Sequence, residues 1–297
     1  MSAQSPTSRV TVNSLRALKA SAQPIVMLTA YDFPSAYLAE AAGVDCVLVG
    51  DSLGMTVLGH SSTLPVTMDD MVRATAAVSR ATERVLVVAD MPFLSYQVSI
   101  EDAVRNAGRL MAEGGAHAVK LEGADDDRIM TVEALVAAGI PVMAHVGLTP
   151  QSVNVLGGYR TQATDADSAA ELMRSCVELE RAGAFAIVLE CIPAEIAERA
   201  SGLVSIPTIG IGAGAGCDGQ VQVFTDILGL GTFTPRHAKR YADVGEQIAA
   251  AIGAYAAEVR DRSFPGEGAL THVSNDVVAR AEIVYGEMDL DDDEEFE

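Results

Sequence analysis

Cysteine is scarce in this chain of 297 residues: Cys46, Cys176, Cys191 and Cys217 are the only four, and no C-x-x-C pair is among them. Scattered single thiols argue against a disulfide framework and against a cysteine-built zinc site. They read as reduced, mostly buried groups of a cytoplasmic protein. Positive charge is also short, with 20 Lys and Arg against 41 Asp and Glu and a net charge of −21. Nucleic-acid binding draws on clustered Lys and Arg, so that function class is excluded. Long apolar runs are missing as well. Nothing approaches the roughly 20 residues that span a bilayer. The opening segment "MSAQSPTSRVTVNSLRALK" also lacks the apolar stretch of a secretory signal.

Part of the acidity is local. The last nine residues, "DLDDDEEFE", carry seven acids, and without them the net charge is −14. The segment 265–297 therefore reads as an acidic, disordered, solubilising tail, with an interaction role as the alternative. The rest is 49% hydrophobic and 21% charged over the whole chain, enough for a sizeable core. The length suits one large α/β domain, ~250 residues being typical of a (βα)8 barrel.

A loose internal repeat organises the chain. Helical segments run into a glycine stop, and a short run of Val, Ile and Leu follows. The instances are "LAEAAGVDCVLVGD", "LMAEGGAHAVKLEG", "LVAAGIPVMAHVG", "LERAGAFAIVLEC" and, more loosely, "ERASGLVSIPTIGIG". Gly43, Gly115, Gly139, Gly183 and Gly202 are the expected helix stops in the left-handed conformation. The apolar runs lack polar alternation, as in strands covered on both faces. Helix–strand repeats of this kind mean parallel strands joined by helical crossovers. Strands are expected at 25–29, 46–49, 85–89, 118–121, 142–146, 186–189 and 207–211, with a weak eighth near 220–224. Thr67 with Asp70 and Ser99 with Asp102 have capping-box spacing, and Thr149-Pro150 marks a further helix start. The expected organisation is an N-terminal helical segment 1–23, a (βα)8 TIM barrel at 24–264 and the tail.

Carboxylates stand where the apolar runs stop: Asp51 after "CVLVG", Asp90 after "VLVVA", Glu122 after "AVKL" and Glu190 after "AIVL". Strand ends of a parallel barrel share one rim, the catalytic one. Asp51, Asp90 and Glu122 come from consecutive strands, and gathering them without a cation costs repulsion and desolvation. A hard divalent ion relieves that cost, and all-oxygen ligands favour Mg2+ over Zn2+. Helix capping is the alternative for each acid. Lys120 shares a strand face with Glu122, so it points into the barrel beneath it. There it serves either the site or a structural ion pair. His145 ends strand five, as a hydrogen-bond donor to a bound anion or as a core histidine. Glu190, on strand six opposite the metal side, is placed as a general base or as a helix cap before Pro193. The run "IGIGAGAGCDG" matches G-x-G-x-x-G at Gly214, Gly216 and Gly219, yet it opens no helix, so dinucleotide binding is a poor fit. Gly50 to Met71 is long and polar enough for a lid, or else a packed surface loop. Within it Ser52 offers a hydroxyl and an N–H to an anion.

The segments "TAYDFPSA", "VGDSLGMTVLGHSSTLPVT", "DMPFLSY", "KLEG", "HVGLTPQSVNVLGGY", "VLECIP" and "IGIGAGAGCDGQVQV" resemble the ketopantoate (3-methyl-2-oxobutanoate) hydroxymethyltransferase family, from about Ile25 to Pro265. The resemblance implies a barrel of the phosphoenolpyruvate mutase/isocitrate lyase type. It implies that Asp51, Asp90 and Glu122 hold Mg2+. By the same likeness Ser52, Asp90 and Lys120, with His145, hold the 2-oxo acid, Asp51 contributes to substrate binding, and Glu190 accepts a proton. It further implies 5,10-methylenetetrahydrofolate as co-substrate, a place at the first step of pantothenate biosynthesis, and a homodecamer. Ala163 stands where the family usually has glycine. A related Mg2+ barrel lyase acting on a 2-oxo or 2-hydroxy acid is the other enzyme reading, and a non-catalytic scaffold is the third.

Overall fold

A computed structural model describes residues 8–231 and 233–288. The chain divides into two compact units, one up to Asp243 and one from Val244 onward.

The first unit is a closed, all-parallel barrel in sequential strand order. Its strands are β1 (Ile25–Thr29), β2 (Cys46–Val49), β3 (Leu86–Asp90), β4 (Ala118–Glu122), β5 (Val142–Gly147), β6 (Ala186–Glu190), β7 (Thr208–Ile211) and β8 (Gly219–Gln222). Its helices are α1 (Val12–Ala20), α2 (Phe33–Ala41), α3 (Leu53–Thr56), α4 (Met68–Arg80), α5 (Ile100–Ala112), α6 (Asp126–Ala137), α7 (Val153–Leu156), α8 (Ala166–Arg181), α9 (Ala194–Leu203) and α10 (Phe224–Leu228). The expected (βα)8 barrel is therefore what this sequence forms, with each strand shifted by no more than two residues from its expected place.

Two apolar layers hold the barrel. Strand residues 47, 49, 87, 89, 119, 121, 142, 144, 187 and 189 face outward and meet the helices in one continuous core. The alternate set, including Met27, Leu48, Leu86, Val88, Ala118, Met143, Val188 and Ile209, fills the interior. Val10 and Leu15 join this inner cluster, so the α1 segment closes the end of the barrel where the strands start. Because strand side chains alternate with period two, the inward phase of each apolar run continues to the opposite end. Leu86 and Val88 lead to Asp90, Ala118 leads to Lys120 and Glu122, Met143 leads to His145, and Ala186 and Val188 lead to Glu190. The same pleat that fills the core aims these polar groups into the mouth.

Local signals explain the boundaries. Thr67 and Asp70 cap α4 reciprocally, and Ser99 accepts the Asp102 N–H at the start of α5. Gly43, Gly115, Gly139 and Gly183 take positive φ as expected. Gly202 does not: it lies inside α9, which ends one residue later. After Thr149 a 3-10 turn (Pro150–Ser152) runs directly into the short α7, and the Thr149 side chain does not cap it.

The second unit holds α11 (Val244–Asp261) and α12 (Asn275–Met288). The contacts divide the chain after Asp243, inside the span 24–264 expected for the barrel domain: helical periodicity marks α11 as a helix but does not say which body it belongs to. One expectation is corrected here. Residues 275–288 are helical rather than disordered. Val277, Val278, Ala281, Val284, Tyr285 and Met288 recur at helical spacing, a pattern that the acidic composition of the segment masks. The acidic run 289–297 lies outside the described residues.

Candidate active site

None of the four strand-end acids caps a helix. The caps of α5 and α6 are Ser99 and Asp125, Pro193 precedes α9 with no side-chain cap, and Ser52 precedes α3 without capping it. Asp51, Asp90, Lys120, Glu122 and His145 are all buried, whereas Glu190 and Ser52 are partly exposed. The register brings neighbours side by side: Asp90 pairs with Lys120, and Glu122 with His145.

The polar groups form one connected cluster. Lys120 Nζ lies 2.8 Å from Asp90 Oδ1 and 3.2 Å from His145 Nδ1. The Asp51 N–H donates to Asp90 Oδ2 at 3.0 Å. On its far side His145 Nε2 faces Glu190 Oε2 at 3.3 Å, out of line for a hydrogen bond. Ser52 Oγ meets Tyr31 Oη at 2.9 Å. The structure thus brings together all seven residues singled out from the sequence, from β2 round to β6.

The electrostatics follow from burial. Desolvation, and next the Asp90 charge, push Asp51 up to about 7. Burial and the Asp51 charge likewise hold Glu122 well above the usual carboxylate range. Burial alone would lower the Lys120 ammonium, but Asp90, Glu122 and Asp51 more than offset it, and its pKa is raised. Burial and then the Lys120 charge lower His145, which keeps its ring neutral. An ammonium only donates, so Nδ1 is the acceptor and the ring proton is assigned to Nε2, facing Glu190.

Two residues in this cluster carry no strand-end signal. Gln151, buried in the turn after β5, donates from Nε2 to Asp51 Oδ2 and to Met91 O, both at 2.9 Å, and from its backbone N–H to Glu122 Oε2 at 3.0 Å. Tyr96 Oη lies 2.8 Å from Gln151 Oε1 and accepts the Glu122 N–H at 3.1 Å. The sequence clue to both was their place in motif segments, "DMPFLSY" and "HVGLTPQ". The Gly50–Met71 loop is folded on itself: Gly54 packs against Val66 so closely that an added Cβ would come within 2.6 Å of Val66 Cγ2. Ala163 adopts φ 53°, a left-handed conformation that glycine takes without strain. Among the described residues, no three His, Cys, Asp or Glu are already gathered as a metal-holding group. The acids turn instead to Lys120, Gln151 and backbone donors.

A family model described as ketopantoate hydroxymethyltransferase matches residues 9–267. The chain belongs to the ketopantoate hydroxymethyltransferase family. It is 55% identical to the 3-methyl-2-oxobutanoate hydroxymethyltransferase of Carboxydothermus hydrogenoformans, over 87% of this chain and 94% of that one. To the enzyme of the same name from Enterococcus faecalis it is 53% identical, again over 87% and 94%. Chains of similar fold also appear among solved structures. A 2,3-dimethylmalate lyase, described as a PEP mutase/isocitrate lyase superfamily member, aligns with TM-score 0.57 at 19% identity over 97% of this chain and 99% of its own. A phosphonopyruvate hydrolase, solved with oxalate and Mg2+, aligns with TM-score 0.55 at 16% identity over 94% and 98%. These two likenesses show the fold type alone, a closed parallel barrel with alternating helices. The hydroxymethyltransferase family is one of transferase enzymes, so the scaffold reading is set aside. No helix among the described residues is long and apolar enough to cross a membrane.

Proposed function

We propose that this chain transfers a hydroxymethyl group from 5,10-methylenetetrahydrofolate to 3-methyl-2-oxobutanoate, giving ketopantoate (2-dehydropantoate). The observation that carries this reading is family membership across residues 9–267 joined to a buried rim where three acids face one ammonium. In this reading the reaction is the first step of pantothenate biosynthesis and takes place in the cytoplasm.

The donor set fits Mg2+. Asp51, Asp90 and Glu122 offer only oxygen, they are buried, and Lys120 balances one of three negative charges. The raised pKa of Asp51 and of Glu122 is the strain that a divalent cation relieves. When bound, the ion supplies Lewis acidity for negative charge developing on the 2-oxo oxygen.

The chain's own groups do the rest. Lys120, fixed by Asp90 and His145, holds positive charge beneath the substrate carboxylate. Ser52, tethered by Tyr31, and the Nε2–H of His145 donate to the bound anion. Glu190, less buried than the acids of the metal side, accepts the proton from C3. The enolate carbon would then bond to the folate methylene carbon as the bond from that carbon to one folate nitrogen breaks, that nitrogen gaining the proton taken from C3. Water would displace the second nitrogen, its oxygen becoming the hydroxyl and one of its protons going to that nitrogen, and tetrahydrofolate leaves. The chain acts as a homo-oligomer, a decamer in the arrangement that the family resemblance implies. Exposed Ile248, Ile252, Tyr255 and Val259 along one stripe of α11 support association.

Ketopantoate formation measured with and without 5,10-methylenetetrahydrofolate, and with EDTA, tests this reading. Turnover should require the folate and stop on chelation. Cleavage of a 2-hydroxy dicarboxylate without folate would overturn it in favour of the lyase chemistry of the fold relatives.

A further inference from the structure

One buried residue, through its side chain and its backbone N–H, touches the acid-bearing ends of two strands and the neighbour of a third. Gln151 Nε2 donates to Asp51 Oδ2, and its backbone N–H donates to Glu122 Oε2. The second Nε2 hydrogen goes to the carbonyl of Met91, the residue next to Asp90. The carbonyl end of the amide is held as firmly. Oε1 accepts from Tyr96 Oη at 2.8 Å and from Gln97 Nε2 at 3.0 Å.

These contacts leave the amide one orientation. Asp51 Oδ2 and Met91 O are acceptors, so a flipped amide would set its oxygen against two oxygens. Tyr96 Oη accepts the Glu122 N–H, and its one proton has two acceptors within reach, the Glu122 carbonyl at 3.3 Å and Gln151 Oε1 at 2.8 Å, of which the nearer, Gln151 Oε1, is the stronger partner. Tyr96 therefore locks the Gln151 amide while also fixing the backbone of Glu122. A glutamine satisfied at every polar atom inside a cluster of like charges is a spacer: it contributes donors to two carboxylates without adding charge.

We propose that Gln151 is a positioning residue for the metal centre, engaging Asp51 Oδ2 and Glu122 Oε2 and leaving the second oxygen of each for a divalent cation. The proposal rests on the assignment of Asp51, Asp90 and Glu122 as metal ligands. Neighbours that orient ligating carboxylates act on affinity, and their loss weakens binding about 10–100-fold.

Mn2+ titration of the full-length protein, followed by the electron paramagnetic resonance of free Mn2+, tests it. Gln151→Met is close in size and removes the side-chain hydrogen bonds. It should still bind one Mn2+ per chain but about 10–100-fold more weakly than wild type. Metal-free stability falls in this variant even if Gln151 is only structural, because buried partners are left unpaired. Mn2+ affinity does not. Affinity within twofold of wild type in Gln151→Met, alongside lost binding in Asp51→Asn, would overturn the proposal while leaving the metal assignment intact. Unaltered Mn2+ binding in both Asp51→Asn and Glu122→Gln would instead refute the ligand assignment on which it rests. Should Gln151→Met not fold, Tyr96→Phe removes the lock on the amide with a single hydroxyl. A severalfold loss of Mn2+ affinity is expected there, and unchanged affinity counts against the proposal.

Discussion

Replacing Lys120 by methionine removes the one ammonium among three buried carboxylates while keeping most of the side-chain volume. The Nζ–Oδ1 contact to Asp90 is 2.8 Å, with both side chains almost fully buried. Breaking such a pair by deleting one partner costs about 3–5 kcal/mol, because the other charge is left buried and unpaired. The loss depends on pH with a definite sign. Lys120 is a cause that lowers Asp51 and Glu122, so without it both carboxyls rise further. A carboxyl whose folded pKa lies above its unfolded value favours folding at low pH, and that contribution disappears as pH rises through the folded value. For Asp51 the wild-type window runs from the ordinary aspartate value of 3.8 to about 7, and in the variant it extends higher. Urea unfolding in EDTA should therefore show a small deficit for Lys120→Met at pH 5 and most of the about 3–5 kcal/mol at pH 8. Adding Asp90→Asn removes one negative charge and should restore part of the loss at pH 8. Equal deficits at the two pH values, or a deficit under about 1 kcal/mol at pH 8, would refute the electrostatic account of this cluster.

Two further substitutions test the backbone around the site. Gly147 has φ 97°, and a Cβ there would stand 2.3 Å from the Glu190 carbonyl oxygen. Gly147→Ala should cost about 3 kcal/mol from left-handed strain and overpacking, and displacement of Glu190 should cut kcat more than tenfold. Thermal unfolding and steady-state kinetics read the two effects. Ala163, buried at φ 53°, already carries a conformation poor for a side chain. Ala163→Val should destabilise by about 2 kcal/mol or more in urea unfolding, since β-branching deepens that strain. Ala163→Gly should change stability by less than about 1 kcal/mol, because relief of strain is offset by unfolded-chain entropy and the lost buried methyl.

The barrel was legible because its cause is local. "VLVVAD" and "AVKLE" encode both the buried strand and, in the same inward phase, the polar group at its end. Asp90, Glu122, His145 and Glu190 were legible as strand-end groups and Lys120, by period-two alternation, as sharing the face of Glu122, while helix capping and core packing stayed open as alternatives. Gln151 was not legible, since its partner Asp51 is 100 residues away and its role depends on where a turn crosses the rim. Tyr96 is hidden in the same way: its hydroxyl serves Glu122 from a loop after another strand. Strand β8, "GQVQ", was legible only as a weak signal because two glutamines interrupt the apolar pattern. The helix at 275–288 was lost behind the composition of its neighbours, and the unit boundary at Asp243 depends on packing that periodicity does not encode.

Glu190 is proposed to take a proton from the carbon next to the 2-oxo group, in a site set by the buried acids and Lys120. Exchange of the C3 hydrogen of 3-methyl-2-oxobutanoate in D2O, followed by proton NMR without folate, measures that step alone. The wild-type protein with Mg2+ should exchange this hydrogen, and Glu190→Gln should show none above background although that variant still binds the 2-oxo acid. Exchange at the wild-type rate in Glu190→Gln would contradict that role of Glu190.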